Sequence, residues 1–382
     1  MLAEGMLAQE SYVKQPMITM IGNKRKLVGG IHSVVQDVWR VLEQRPLRVM
    51  DGFAGSGVVS RMLASSPEIG AVLVNDLETY SRLCAECYLR EPSAADKQRI
   101  AQHIAEANRL AAEGPFVEGI VSRLYAPRVT AAVREGERCF YTRENALAID
   151  TIRDYIDRHV EIGLRAWILA PLLVKASIHT NTGGVFKGFY KKDGVGHFGG
   201  EGENALERIM APLRLVGPHW PLGERLAPVE VHQEDINSLL ESDRVGALDL
   251  IYLDPPYNQH PYGSNYFMLN VIASGEEPRD ISGVSGIPRG WNKSRYNKAA
   301  EASVAMKDLL EKALVKASYV LISYNNEGII KPAAWEKLLE GYKWRVYERA
   351  YDAYKASRNL EMRPQKVVEK MYLVCRQENS LP

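Results

Sequence analysis

The chain has 382 residues, 46% hydrophobic and 25% charged, which is long enough for a large core in two domains or in one domain with a big insertion. A formal net charge of +1 excludes a globally polycationic nucleic-acid binder, so any basic face must be local. The N-terminal stretch lacks the basic-then-apolar layout of a secretory signal and no run reaches membrane-spanning length, which points to a cytoplasmic protein with no membrane contact.

Residues 17–28 read as a short apolar piece, a turn at Gly22-Asn23, and an amphipathic helix that starts at Lys24 and runs to about Leu42. A lysine beside a free helix N-terminus attracts an anion such as a ligand carboxylate, although a solvated Lys-Arg-Lys cluster is the plainer alternative. Leu47 to Val59 follow as strand, glycine-rich turn and helix, with Asp51, Phe53, Gly55 and Gly57 in or beside the turn. The spacing is neither that of a dinucleotide fingerprint nor that of a phosphate loop, so the turn expects a ligand other than a pyrophosphate. A second strand, Ala71 to Asn75, ends in Asp76, placed to take both ribose hydroxyls in a doubly wound fold, or else to cap a helix.

From about 84 to 225 the strand–helix rhythm breaks. The stretch holds helical patterns at Asp96–Ala112, Glu144–His159 and Gly163–Ser177, and it reads as an insertion. Cys84 and Cys87 form a C-x-x-C, but with only Cys139 and Cys375 besides there is no second pair to complete a zinc site, and no metal is expected. In the glycine-rich segment 180–192, Lys187, Lys191 and Lys192 interleave with Phe186, Phe189 and Tyr190. That pattern suits a phosphate backbone with exposed bases, and equally a surface loop.

The sheet resumes with a strand at Val229 that ends near Asp235 and Ile236, and then with the apolar run Leu250 to Leu253. Asp254, Pro255, Pro256 and Tyr257 follow directly. Two prolines stiffen the segment and remove two backbone donors, so a carboxylate, a carbonyl and an aromatic ring are held together. Such a set suits gripping a planar base whose exocyclic amine must be made nucleophilic, against the alternative of an ordinary strand end and Pro-rich turn. Next come Tyr262, Asn265 and Tyr266, candidates to line a flipped base or fill its gap unless they are core. Residues 281–300 carry Arg289, Lys293, Arg295 and Lys298 with no acid, the best local basic patch. A helix over 303–317, a strand over 319–325, and two final strands near 344–349 and 367–375 around a loop with Lys355 and Arg358 complete the chain.

Taken as an ordered set, P-M-I-T-M-I-G-N-K-R-K-L, D-G-F-A-G-S-G, N-D, a long insertion and D-P-P-Y resemble the adenine-N6 DNA methyltransferases of the DNA adenine methylase (Dam-like) family, over about 1–85 and 230–375. The resemblance implies an α/β fold: a Rossmann-like, class I S-adenosylmethionine-dependent methyltransferase sheet carrying a large, mostly helical inserted target-recognition domain. The chain would then divide into a cofactor half (1–85), the insertion (86–228) and a catalytic half (229–382). It further implies that Gly22, Asn23 and Lys24 hold the methionine end of S-adenosyl-L-methionine and that Asp51, Phe53, Gly55 and Gly57 form the cofactor loop. Asp76 would bind the ribose, and Asp235 with Ile236 would contact the cofactor's adenine. Here Asp51-Gly52-Phe53 stands where several members carry Glu-Pro-Phe, and Gly-Asn-Lys replaces the commoner Gly-Gly-Lys.

In the expected reaction Asp254 and the Pro255 carbonyl accept the two amine N–H bonds, Tyr257 stacks on the base, and the methyl group passes directly in line. A base within double-stranded DNA must flip out to reach such a pocket. The alternatives are an N4-cytosine DNA enzyme, usually marked by Ser-Pro-Pro-Tyr, adenine in RNA, and an inactive DNA-binding subunit that retains the fold. A companion restriction endonuclease is a candidate partner for a monomer or weak dimer.

Overall fold

The computed structural model describes residues 11–15, 17–18, 20–200, 202–220, 226–352 and 366–382. The strands are β1 (Leu47–Asp51), β2 (Ile69–Asn75), β3 (Lys191–Lys192), β4 (Val195–Gly196), β5 (Val229–His232), β6 (Leu248–Leu253), β7 (Ala317–Asn325), β8 (Lys343–Asp352) and β9 (Lys366–Cys375). Seven of them form one sheet in the order β5-β2-β1-β6-β7-β9-β8, while β3 and β4 make a separate small hairpin. The pairs among β5, β2, β1, β6 and β7 are parallel, and β9 runs against both β7 and β8. The chain steps outward from β1 to β2 and β5, then returns to lay β6 on the other side of β1. The sheet therefore switches direction between β1 and β6, and ligands of open α/β sheets bind outside the strand ends at that point.

Burial explains the unbroken apolar character of β6, whose six residues are all buried. Leu250 and Tyr252 face one layer, which takes in the helix Val28–Val41, and Ile251 and Leu253 face the other, which takes in Ala302–Lys316. The helix Val28–Val41 buries Val28, Ile31, Val34, Val35 and Val38, the spacing of a single helical stripe. Each such side chain contributes roughly 1.5–3 kcal/mol on burial.

The insertion contains the helices Ala94–Glu113, Arg143–His159 and Ala166–Ile178, each within a few residues of its sequence expectation. Its main apolar cluster is shared rather than private. Ile100, Ile149, Ile168 and Leu172 pack with Met17, Ile18 and Met20, with Tyr80 to Tyr88, and with Phe267 to Ala273. The insertion thus packs on the N-terminal segment and on the helices Thr79–Tyr88 and Phe267–Ser274. The C-terminal hairpin forms as expected, but its loop with Lys355 and Arg358 lies outside the described residues. No helix among the described residues is long and apolar enough to cross a membrane.

Candidate active site

At the carboxyl edge of β1, β2 and β6 lies a cleft, the position where open α/β sheets bind their ligands. Its lining comes from residues far apart in sequence: Gly22 to Lys24, Asp51 to Ser56, Asn75 to Glu78, Glu234 to Ile236, Asp254 with Pro256, and Asn292 to Asn297 in part. The turn at Gly22 needs glycine for two reasons. Its φ is +79°, and an added Cβ would stand 2.7 Å from the Tyr257 hydroxyl and 3.3 Å from that of Tyr262.

The glycine turn after β1 is tied to the end of β2. Asp76 accepts hydrogen bonds from the Gly55 N–H at 2.7 Å and the Glu78 N–H at 2.9 Å, so it organises the loop and caps the next turn while lining the cleft. Asp51 is buried at the end of β1. Its Oδ2 accepts from Ser60 Oγ at 2.6 Å, whereas its Oδ1 has no hydrogen-bond partner. Burial pushes the Asp51 carboxyl up to about 7, with Asp254 and Asp76 adding to the rise. An unpartnered buried acceptor aimed into a cleft fits a cationic ligand group.

Asp254 stands at the end of β6 beside this turn, with 18% of its side chain exposed. The Lys24 ammonium, 4% exposed, lies 2.9 Å from Asp254 Oδ1 and 2.9 Å from Glu369 Oε1, and 5.5 Å from the Tyr257 ring centroid. Glu369 is wholly buried on β9, and Ser323 Oγ on β7 donates to its Oε1 at 2.6 Å. Burial opposes the Lys24 charge, yet Asp254 and Glu369 hold its pKa well above the ordinary value. Burial also lifts Asp254 to about 6; Lys24 pulls it down and Glu369 pushes it up.

The structure thus gathers Gly22, Asn23, Lys24, Asp51, Phe53, Gly55, Asp76, Asp235, Ile236, Asp254, Pro256 and Tyr262 around one cleft. Gly57, at φ +73°, opens the helix behind it, and Pro255 is buried beside it. Tyr257 flanks the charged centre, with its ring edge-on to Tyr324. Asp235 caps the helix Ile236–Glu241 through Ser238 N–H at 3.1 Å. Phe53 meets Tyr296 edge-on, with ring centroids 5.4 Å apart, leaving an aromatic wall.

Several expectations need correction. The first long helix begins at Val28, not at Lys24, so Lys24 is neither at a helix N-terminus nor solvated: two carboxylates have drawn it inside. Asn265 and Tyr266, expected to line a flipped base or fill its gap unless they are core, lie in the packed interior. Tyr266 is 1% exposed and its hydroxyl accepts the Ile21 N–H, while Asn265 is 4% exposed and its carbonyl accepts the Phe186 N–H. Tyr262 stacks on Tyr266 and donates its hydroxyl to the Ile21 carbonyl. The basic patch is partly neutralised by acids just outside its window: Arg289 pairs with Asp280 and Arg295 with Glu301, while Lys293 sits over Trp291. Of the loop lysines, Lys187 meets His260, Lys191 lies over Phe189, and Lys192 is exposed.

The sequence reading missed Glu78 and Glu369. Burial raises Glu78 to about 7 within the cleft wall, where Asn270 and Asn292 donate to it. Glu369 did leave a signal: it lies in phase with Met371, Leu373 and Cys375, so an acid interrupts one face of a strand that is buried on both. The four cysteines are free and buried, and the described residues hold no group of three or more metal-ligating side chains.

Residues 20–335 match the model of the D12 class N6 adenine-specific DNA methyltransferases. The chain is 29% identical over 345 residues to the Type II methyltransferase M.CviAII of Paramecium bursaria Chlorella virus 1, covering 89% of this chain and 93% of that one. It is 27% identical to the Type II methyltransferase M.NlaIII of Neisseria lactamica, covering 88% and 92%. M.FokI of Planomicrobium okeanokoites is 27% identical over 89% of this chain, which spans 50% of that longer protein. The family match bears out the resemblance drawn from motif order, and it places the reactive amine on adenine rather than cytosine. Its extent, across the sheet, the cleft and the insertion alike, shows that this chain belongs to the D12 class of N6 adenine-specific DNA methyltransferases.

Proposed function

We propose that the cleft binds S-adenosylmethionine and that Asp254 activates the N6 amine of an adenine flipped out of double-stranded DNA. The observation that carries this reading is the placement of Asp254 in the same cleft as the glycine turn, neither sealed off from it nor separated by a strand. The family and fold imply S-adenosylmethionine in general, and the donor set fits it. Asp51 offers its unpartnered Oδ1 to the cofactor's ammonium, Asp76 keeps lone pairs for ribose hydroxyls, and Phe53 with Ile236 forms an apolar slot for the adenine ring. The bound cofactor supplies an electrophilic methyl group on a sulfonium.

The protein's own residues do the rest. An exocyclic amine is a poor nucleophile because its lone pair is spread into the ring. Asp254 and the Pro255 carbonyl accept its N–H bonds and return electron density to nitrogen, and the stiff Pro255-Pro256 segment holds that geometry. Tyr257 supplies a ring face next to the same centre. Residues 86–228 form the target-recognition region, with Lys187, Lys191 and Lys192 following phosphates. Because the relatives are Type II methyltransferases, the enzyme acts as the modification partner of a restriction endonuclease in the cytoplasm.

The test is methyl transfer from labelled S-adenosylmethionine to unmethylated bacterial genomic DNA by the wild type and by Asp254→Asn. The variant should lose at least about a hundredfold in rate, the scale of a lost general acid–base group, while binding S-adenosylhomocysteine nearly as tightly. Wild-type rates in Asp254→Asn would remove Asp254 from the mechanism.

A further inference from the structure

We infer that Glu369 is a positioning residue which, by holding the Lys24 ammonium, keeps the Asp254 carboxylate free to accept the adenine amine. This rests on the proposed role of Asp254 and adds a residue from the last strand, far from every sequence motif.

A fully buried carboxylate on a strand is costly, because the effective penalty of desolvating an ion is several kcal/mol unless partners compensate. An apolar residue in phase with Met371 and Leu373 would fill the position at no such cost. What the charge does must therefore lie in its contacts. Ser323 Oγ, at 2.6 Å, fixes Oε1, and the same oxygen stands 2.9 Å from Lys24 Nζ. The ammonium is thus shared evenly, 2.9 Å from Glu369 and 2.9 Å from Asp254. Lys24 acts on Asp254 by charge and by a hydrogen bond to Oδ1, and the equal pull of Glu369 keeps the ammonium from turning wholly onto Asp254.

Remove Glu369 and the balance changes. Lys24 would have one anion left and would turn its remaining donors onto it, competing with the adenine N–H for the Asp254 oxygens. The groups that face Asp254 electrostatically are Lys24 from the N-terminal turn, Asp51 on β1, Tyr252 on β6, Tyr257 and Tyr262 beyond it, and Glu369 on β9. Glu369 pushes the Asp254 pKa up and Lys24 pulls it down, so losing the former lowers it. A less basic carboxylate is also a weaker acceptor.

The experiment measures kcat, KM for S-adenosylmethionine and the pH dependence of methyl transfer from pH 5 to 9 for the full chain on unmethylated bacterial genomic DNA. Glu369→Gln should lower kcat about tenfold or more, leave KM within about twofold, and move the acid limb to lower pH. If that variant fails to fold by near-UV circular dichroism, Ser323→Ala, which loosens the same carboxylate, should show a smaller change in the same direction. Combining Glu369→Gln with Lys24→Met should be less than additive, because the two act through one contact. An unchanged kcat and acid limb in a folded Glu369→Gln enzyme, with Asp254→Asn inactive, overturns this inference alone. An active Asp254→Asn overturns the reading beneath it.

Discussion

Replacing Lys24 with methionine removes one buried charge from between two others, and its consequences run in a direction set by the geometry. Lys24 is 4% exposed and lies 2.9 Å from both Asp254 and Glu369, so methionine keeps the packing volume and leaves two carboxylates uncompensated. Breaking a buried pair by deleting one partner costs about 3–5 kcal/mol. The Asp254 carboxyl, already raised to about 6 by burial against the pull of Lys24, must rise further without it. A carboxyl whose folded pKa lies above its unfolded value contributes stability that is full below the unfolded value, near 4, and is lost as pH rises through the folded one. Lys24→Met should therefore be destabilised most at pH 8 and much less at pH 5.5, when Asp254 is neutral in both proteins. Its acid limb for methyl transfer should move to higher pH, opposite to that of Glu369→Gln, and its rate near pH 7.5 should fall as the neutral Asp254 carboxyl gains population. Melting curves at the two pH values and initial rates of label transfer measure both effects. A melting difference that is the same at pH 5.5 and 8, with the acid limb unmoved, would refute the coupling of Lys24 to Asp254.

Two further outcomes follow from the cleft. Gly22→Ala should raise KM for S-adenosylmethionine about tenfold with a small loss of stability. The φ of +79° costs a side chain about 1–2 kcal/mol, and the new methyl, 2.7 Å from the Tyr257 hydroxyl, displaces that ring; a wild-type KM would mean the turn does not touch the cofactor. Asp51 has a carboxyl pushed up to about 7 by burial, so the ligand-free protein should gain thermal stability as pH falls from 8 towards 5. Asp51→Asn should flatten that slope, as followed by differential scanning calorimetry, and an unaltered slope would show that Asp51 is not the group responsible.

Chain-local patterns carried much of the fold. All seven strands of the main sheet appear where alternation or an unbroken apolar run placed them, because strand and helix periodicity is decided by neighbours a few residues away. The four-residue tip after β6, the glycine turn after β1 and their order along the chain were sufficient to indicate the family, since those short segments carry their own backbone constraints. What local patterns do not encode is which charges meet. Lys24 read as solvated or as a helix-start cation because its partners are far along the chain, and only the parallel stacking of β1, β6 and β7 beside the reversed β9 brings Asp254 and Glu369 to it. The same reason placed Asn265 and Tyr266 in the interior, against Phe186 and Tyr80 from distant segments, and let Asp280 and Glu301 spend charges counted as a basic patch. The amino-acid order determined the strands, the turns and the reactive tip; tertiary packing alone decided the ionic environment in which that tip works, because electrostatic partnership depends on distance through space and on burial, neither of which is a property of any one segment.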